Sequence, residues 1–150
     1  MRRAKKKADP NDPQKDAVYS WEAAHESWNV CTLDIEQCEY VAQQALKLFG
    51  CEPIDMQNGS PARFSWNIPA WRMICMQGPS RRGRGGRNVA TVLHEAAHQI
   101  VFDLYADNTQ DHGPTFLGVY RELLLAAKVL TPREFDVSAR HYRLKWRPNL

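Results

Sequence analysis

The sequence predicts an α+β fold: a small, mainly antiparallel three-stranded sheet packed against helices, one of which carries H-E-x-x-H. Three observations point there. Apolar residues recur at helical spacing over residues 32–50 and again from Asn88 onward. Between these blocks Phe64, Trp66 and Ile68 alternate with Arg63, Ser65 and Asn67, the period of a strand with one covered face. Turn chemistry separates the segments, with Asn58-Gly59, Ser60-Pro61 and Pro69 around the strands and Gly113-Pro114 between two helices.

A chain of 150 residues, 43% hydrophobic with five tryptophans, is large enough for one domain with a real core. Residues 1–16 hold almost nothing apolar, which predicts a disordered basic tail ahead of a single domain over residues 17–150. No stretch approaches the roughly 20 consecutive apolar residues of a membrane helix, which argues against a membrane partner. The N-terminal bases have no apolar segment behind them, so no secretory signal is expected and the location is read as cytoplasmic. Cys31, Cys38, Cys51 and Cys75 form no C-x-x-C pair and are expected as free thiols packed like small hydrophobes.

Taken in order, a short first helix is expected over residues 19–28. Thr32 suits the N-cap of the next helix, and Asp34 and Glu36 suit its first turn, where negative charge meets the positive end of the helix dipole. Ile35, Cys38, Val41, Ala42, Ala45 and Phe49 form its apolar face, and Gly50 its stop. Strands are expected at 51–57, 64–68 and 71–77, the last the most apolar. From Asn88, the stripe Val89, Val92, Leu93, Ala96, Ile100 and Leu104 marks a helix to about Tyr105. Pro114 then opens a helix at its first position, cored by Phe116, Leu117, Tyr120, Leu123, Leu124 and Ala127. Thr131-Pro132-Arg133-Glu134 joins an N-cap, a first-turn proline and a capping-box glutamate, which predicts a last short helix.

The net charge of +3 is unevenly spread. Residues 1–15 carry six bases and two acids, residues 133–147 five bases and two acids, and residues 20–60 seven acids and one base. The loop RRGRGGR adds Arg81, Arg82, Arg84 and Arg87 with no acid. Such blocks suit a nucleic-acid partner reached through those arginines and the basic tail; the alternative is a solvated tail and loop.

Three of the five histidines fall within HEAAHQIVFDLYADNTQDHGPTF, residues 94–116. Two histidines four apart on a helix share one face, close enough for both imidazoles to reach one ion. Zinc accepts neutral imidazole, and a catalytic site needs three protein ligands and an open position for water. His94 and His98 suit two ligands, and Glu95 can take a proton from the water. The flanking Leu93, Ala96, Ala97, Ile100 and Val101 are too apolar for a merely wet surface. His112, at the end of a polar loop, is near enough along the chain to return as the third ligand. The metal expected at His94, His98 and His112 is zinc (Zn2+).

His94-Glu95-Ala96-Ala97-His98 followed by His112-Gly113-Pro114-Thr115-Phe116 resembles the SprT-like (Spartan-type) zinc metalloproteases, over about residues 20–130. The resemblance implies a minimal zincin-like fold, three histidine ligands at His94, His98 and His112, and Glu95 as the catalytic acid/base. No cysteine follows Cys75, so the four-cysteine zinc ribbon that many members carry has no counterpart in these residues. Compact forms like this also resemble those encoded by phages or mobile elements, for which the host cytoplasm is the expected location.

The leading expectation is therefore a zinc-dependent endopeptidase acting on a protein or peptide substrate, with proteins bound to nucleic acid as one class. The substrate is expected to lie extended along a sheet edge, residues 72–77 being the candidate. Tyr120, His141 and Tyr142 are candidates to stabilise the oxyanion. Asp103, Asp107 and Asp111 are candidates to orient the histidines, with solvent-facing carboxylates as the alternative. A nucleic-acid-binding module with a structural zinc site is the competing function. An ImmA-type factor also carries H-E-x-x-H, but its third ligand is usually acidic, whereas H-G-P-x-F here supplies a histidine.

Overall fold

Five α-helices and three strands occupy the described residues of the computed structural model, 8–83, 86–106 and 110–150. They run α1 (Lys15–Ala24), α2 (Ile35–Leu48), β1 (Asp55–Asn58), β2 (Trp66–Ile68), β3 (Met73–Met76), α3 (Val89–Leu104), α4 (Pro114–Ala126) and α5 (Pro132–His141). Short 3-10 helices at Glu26–Asn29 and Pro69–Trp71 follow α1 and β2. No helix among these residues is long and apolar enough to cross a membrane.

Local chemistry accounts for the helix ends. Asp34, not Thr32, caps α2: its carboxylate accepts from the Gln37 N–H while the Gln37 side chain accepts from the Asp34 N–H. Gly50, at φ 71°, closes the same helix. Its N–H reaches the Lys47 carbonyl at 3.0 Å and the next N–H, of Cys51, reaches Leu46 at 2.9 Å, the paired bonds of a glycine C-cap. Thr131 and Glu134 form the expected capping box on α5.

The sheet order is β1-β3-β2, with β1 parallel and β2 antiparallel to β3. The sheet is thus mixed rather than mainly antiparallel. The turn after β1 reverses the chain, and the tight connection through Pro69–Trp71 reverses it again, so β3 runs the same way as β1. Once β3 enters between its predecessors, its pairing with β1 has to be parallel. The same insertion makes residues 73–76 the central strand, correcting the expectation that 72–77 form an edge. Burial of Ile74 and Met76 fits that central position.

Helix α3 lies at the centre of the helical layer, packed against α2, α4 and β2. Ala90, Val92, Leu93, Ala96, Ala97, Ile100 and Val101 are all buried, and its small residues let neighbours approach. A polar pin ties its far end to the sheet. Both Asp103 carboxylate oxygens accept from Arg72 Nη1, at 2.8 and 2.9 Å, and the Arg72 Nε donates to the Pro53 carbonyl at 3.1 Å. Fully buried Gln99 donates to Asp103 Oδ1 and accepts from Asn67, so each polar end has a partner.

The first helix starts earlier than expected, at Lys15, and ends at Ala24. Residues 9–14 join the fold rather than trailing from it. Asp12 is buried, and Gln14 donates to the carbonyls of His112 and Lys145 while accepting from the Lys145 N–H at 2.7 Å. The predicted tail boundary at residue 16 therefore falls inside the fold, and the basic residues from Arg2 to Lys7 lie outside the described residues. All four cysteines are free, as expected.

Trp21 holds α1 in place. It is fully buried, meets Trp28, Phe135 and Tyr120 edge-on at 5.3, 5.5 and 6.0 Å, and donates from its indole N–H to Ser138 at 3.0 Å. Trp21→Ala is expected to cost about 3–5 kcal/mol in urea unfolding. A loss below about 1 kcal/mol would contradict this packing.

Candidate metal centre

The period of α3 aligns His94 and His98 one turn apart, with their Nε2 atoms separated by 3.1 Å. His112 immediately precedes Gly113 and Pro114 at the start of α4, and its Nε2 lies 3.3 Å from that of His94. The three ligand nitrogens all fall within 4.8 Å of one another. Nitrogens ~2.0–2.1 Å from a tetrahedral cation stand about 3.3 Å apart. The two separations from His94 match that spacing, and these three histidines are positioned to hold a metal ion.

Two carboxylates fix the ring orientation. The His94 Nδ1–H donates to Glu22 Oε2 at 2.8 Å, and the His112 Nδ1–H donates to Asp12 Oδ2 at 2.7 Å. Asp12 accepts a second bond, from the backbone N–H of His112 at 3.0 Å. With the proton held on Nδ1, each Nε2 lone pair points into the cluster, the arrangement a metal requires. Phe116 closes the site from α4. Its ring stacks on His98 at 4.5 Å and meets His94 and His112 at 5.0 and 5.1 Å, which accounts for the aromatic residue of H-G-P-x-F.

The electrostatics favour neutral ligands at two positions. Burial, reinforced by the charges of His94 and His112, holds His98 well below the usual histidine range. Burial also lowers His112, against the pull of Asp12. At His94 burial, the largest single influence, likewise favours the neutral form, but Glu22 and Glu95 outweigh it and raise the group. Glu95 is buried beside this cluster, and burial pushes its carboxyl up to about 7, with His94 opposing and Glu22 reinforcing the rise.

Glu95 and His94 form part of the lining of an open groove of about 1200 Å³. Tyr19, Glu22, Glu26 and Trp28 form the wall contributed by α1 and the 3-10 helix after it; Phe64, Ser65 and Gln77 form the sheet side. Tyr19 is partly exposed. Its ring stacks over His94 at 6.1 Å and meets His112 edge-on at 5.1 Å. Burial, then the carboxylates Glu95, Glu22 and Asp12, push its phenol up to about 12.

The other predicted residues have different positions. Tyr120 is near His94 but fully buried, its hydroxyl directed at Glu22 Oε2 and the Ala90 carbonyl, 3.1 and 3.0 Å away. His141 and Tyr142 pack against each other at the end of α5 and have no ring contact with the cluster. Asp103 is committed to Arg72, Asp111 is exposed, and Asp107 lies outside the described residues. The orienting carboxylates Asp12 and Glu22 were not anticipated. One signal for Glu22 was available, since it sits four residues after buried Val18 and so shares the inner side of α1.

Of the loop arginines, Arg81 and Arg82 are exposed, and Arg84 lies outside the described residues. Arg87 is half-buried and donates to the Asn58 side chain, while its carbonyl accepts from the N–H groups of Thr32 and Leu33. Compared with protein-family models, curated proteins and solved structures, the chain matches none.

Asp12→Ala is expected to weaken metal binding 10–100-fold, measured by competition with a chromophoric chelator. Unchanged affinity would remove Asp12 from the site's support. A second expectation concerns the metal-free chain. Glu95 binds its proton more tightly folded than unfolded, so its burial favours folding below about pH 4.5 and progressively disfavours it as pH rises through 7. Glu95→Gln should therefore stabilise the metal-free protein at pH 8, by on the order of 3 kcal/mol, and give no such gain at pH 4.

Proposed function

We propose that this chain is a zinc-dependent endopeptidase of the SprT-like type with a zincin-like core. The observation that carries the reading is the meeting of three inward-facing imidazole nitrogens with a buried carboxylate at the end of an open groove. Held by His94, His98 and His112, zinc would supply a water with its pKa lowered towards ~7 and a Lewis acid for a carbonyl. The imidazole donor set suits zinc, and Glu22 and Asp12 keep it in the required tautomer.

Glu95 acts as general base and then general acid. Its carboxylate takes a proton from the attacking water and delivers it to the leaving amine as the C–N bond breaks. A carboxyl group drawn up towards neutrality is suited to both halves of that exchange. The peptide lies extended between α1 and the approach to β2. Strand β2 pairs with β3 on one side only, leaving its outer edge for main-chain hydrogen bonds, and Phe64 and Ser65 lead from that edge into the groove.

Exposed Arg81 and Arg82 favour a second, compatible element, a nucleic-acid partner that would bring bound proteins to the groove. A purely structural zinc site in a binding module has no use for a carboxylate and a groove beside the metal. Glu95→Gln is expected to keep one equivalent of zinc yet lose casein cleavage by at least about a thousandfold. Full cleavage by that variant, or no zinc bound at saturation by the wild type, would overturn the reading.

A further inference from the structure

We propose that Tyr19 is a catalytic residue of this endopeptidase, donating its phenolic hydrogen to the oxyanion that forms on the scissile carbonyl. The inference rests on the peptidase reading and adds to it the group that receives the negative charge. An attack on a peptide carbonyl needs such a group. As the water oxygen bonds to the carbonyl carbon, the π pair moves onto the carbonyl oxygen and the water's proton passes to Glu95. When the C–N bond breaks, the pair returns to re-form C=O and the proton leaves Glu95 for the departing nitrogen. Between these steps the oxygen carries a full negative charge, and a donor already aimed at it lowers the barrier.

Two tyrosines adjoin the histidines, and their surroundings divide their roles. Tyr120 is fully buried, and its one hydroxyl hydrogen faces two acceptors, Glu22 and the Ala90 carbonyl. It cannot reach a substrate. Tyr19 is 46% exposed, and among the described residues its hydroxyl has no hydrogen-bond partner. Its ring rests against His94 and His112, the two ligands whose far nitrogens are tied to carboxylates. It lines the same groove as Glu95, together with Phe64 and Ser65. A peptide lying in this groove would have both Tyr19 and Glu95 within its lining, one group for its carbonyl oxygen and the other for its attacking water. Packing against two rings also holds the phenol with little freedom to lose, which suits a preorganised donor.

The test uses the full zinc-loaded chain and Tyr19→Phe, which removes the oxygen and keeps the ring. The expected result is a kcat about 10²–10³-fold lower with KM and zinc content unchanged. Binding supplies a readout independent of turnover. A phosphinic peptide, whose tetrahedral anion stands in for the oxyanion, should bind the variant at least about tenfold more weakly, by calorimetry. An uncleaved peptide should bind Glu95→Gln equally well with or without the Tyr19 change. Wild-type turnover and phosphinate affinity in Tyr19→Phe would overturn the assignment alone. Loss of zinc from that variant would also overturn it, by making Tyr19 a support for the ligands. A wild type that neither cleaves peptides nor binds the phosphinate would remove the endopeptidase reading, and Tyr19's role with it.

Discussion

The constraint on which the molecule turns is the meeting of three imidazole lone pairs inside a largely buried cluster, with the His94 nitrogen 3.1 and 3.3 Å from those of His98 and His112 and all three within 4.8 Å of one another. Neutral nitrogens facing one another at that range repel, and burial deprives them of water as an alternative partner. Protonation does not relieve the conflict: burial first, and then the charge of neighbouring imidazoles, holds His98 and His112 below their ordinary range. A single small cation resolves the conflict. The surrounding charge agrees: Glu22, Asp12 and Glu95 bring three carboxyl groups to the site, a setting that suits a cation.

That constraint gives the elements their order of importance. Helix α3 supplies two ligands and, because it is packed against α2, α4 and β2, cannot shift without moving the core. The start of α4 supplies the third ligand and the Phe116 ring beneath the cluster. The N-terminal segment is the less expected contributor. Asp12 and Gln14 hold the side chain and backbone of His112, and Glu22 holds His94, so this segment clamps two ligands from outside. Metal binding and the docking of α1 should then be coupled, since each supplies the geometry that the other needs.

The parts of this arrangement that are encoded locally were legible in the sequence. Capping residues, proline and glycine punctuation and the helical apolar stripe gave α3, α4 and α5 close to their observed limits, and the H-E-x-x-H and H-G-P-x-F motifs marked the three histidines that meet. What failed was non-local. Strand order depends on which neighbour β3 inserts beside, and no residue pattern within a strand of four specifies that. Asp12 lies one hundred residues from its partner in sequence, within a segment whose composition matches a solvated tail. Composition measures whether a segment can bury itself, not whether another element has a polar group waiting for it. Asp103 shows the converse: its proximity to the histidines along the chain suggested a supporting role, but its side chain is turned to the sheet and pinned by Arg72.

Helix α1 joins support of the histidines and a groove wall in one element. Glu22 and Tyr19 stand three apart on it, Glu22 gripping the far nitrogen of His94 while Tyr19 covers that ring on the groove side. The same helix forms one wall of the groove. On the proposed function, a peptide pressing on that wall would act on the carboxylate that orients His94, with no loop between them. In a site designed only to brace the fold, the wall would close over the cation and supply a fourth ligand. Here the groove instead reaches His94 and Glu95, and Tyr19, Glu22 and Glu26 are among the residues that line it. This asymmetry, tight support on the carboxylate side and access on the other, is the feature on which the proposed function draws.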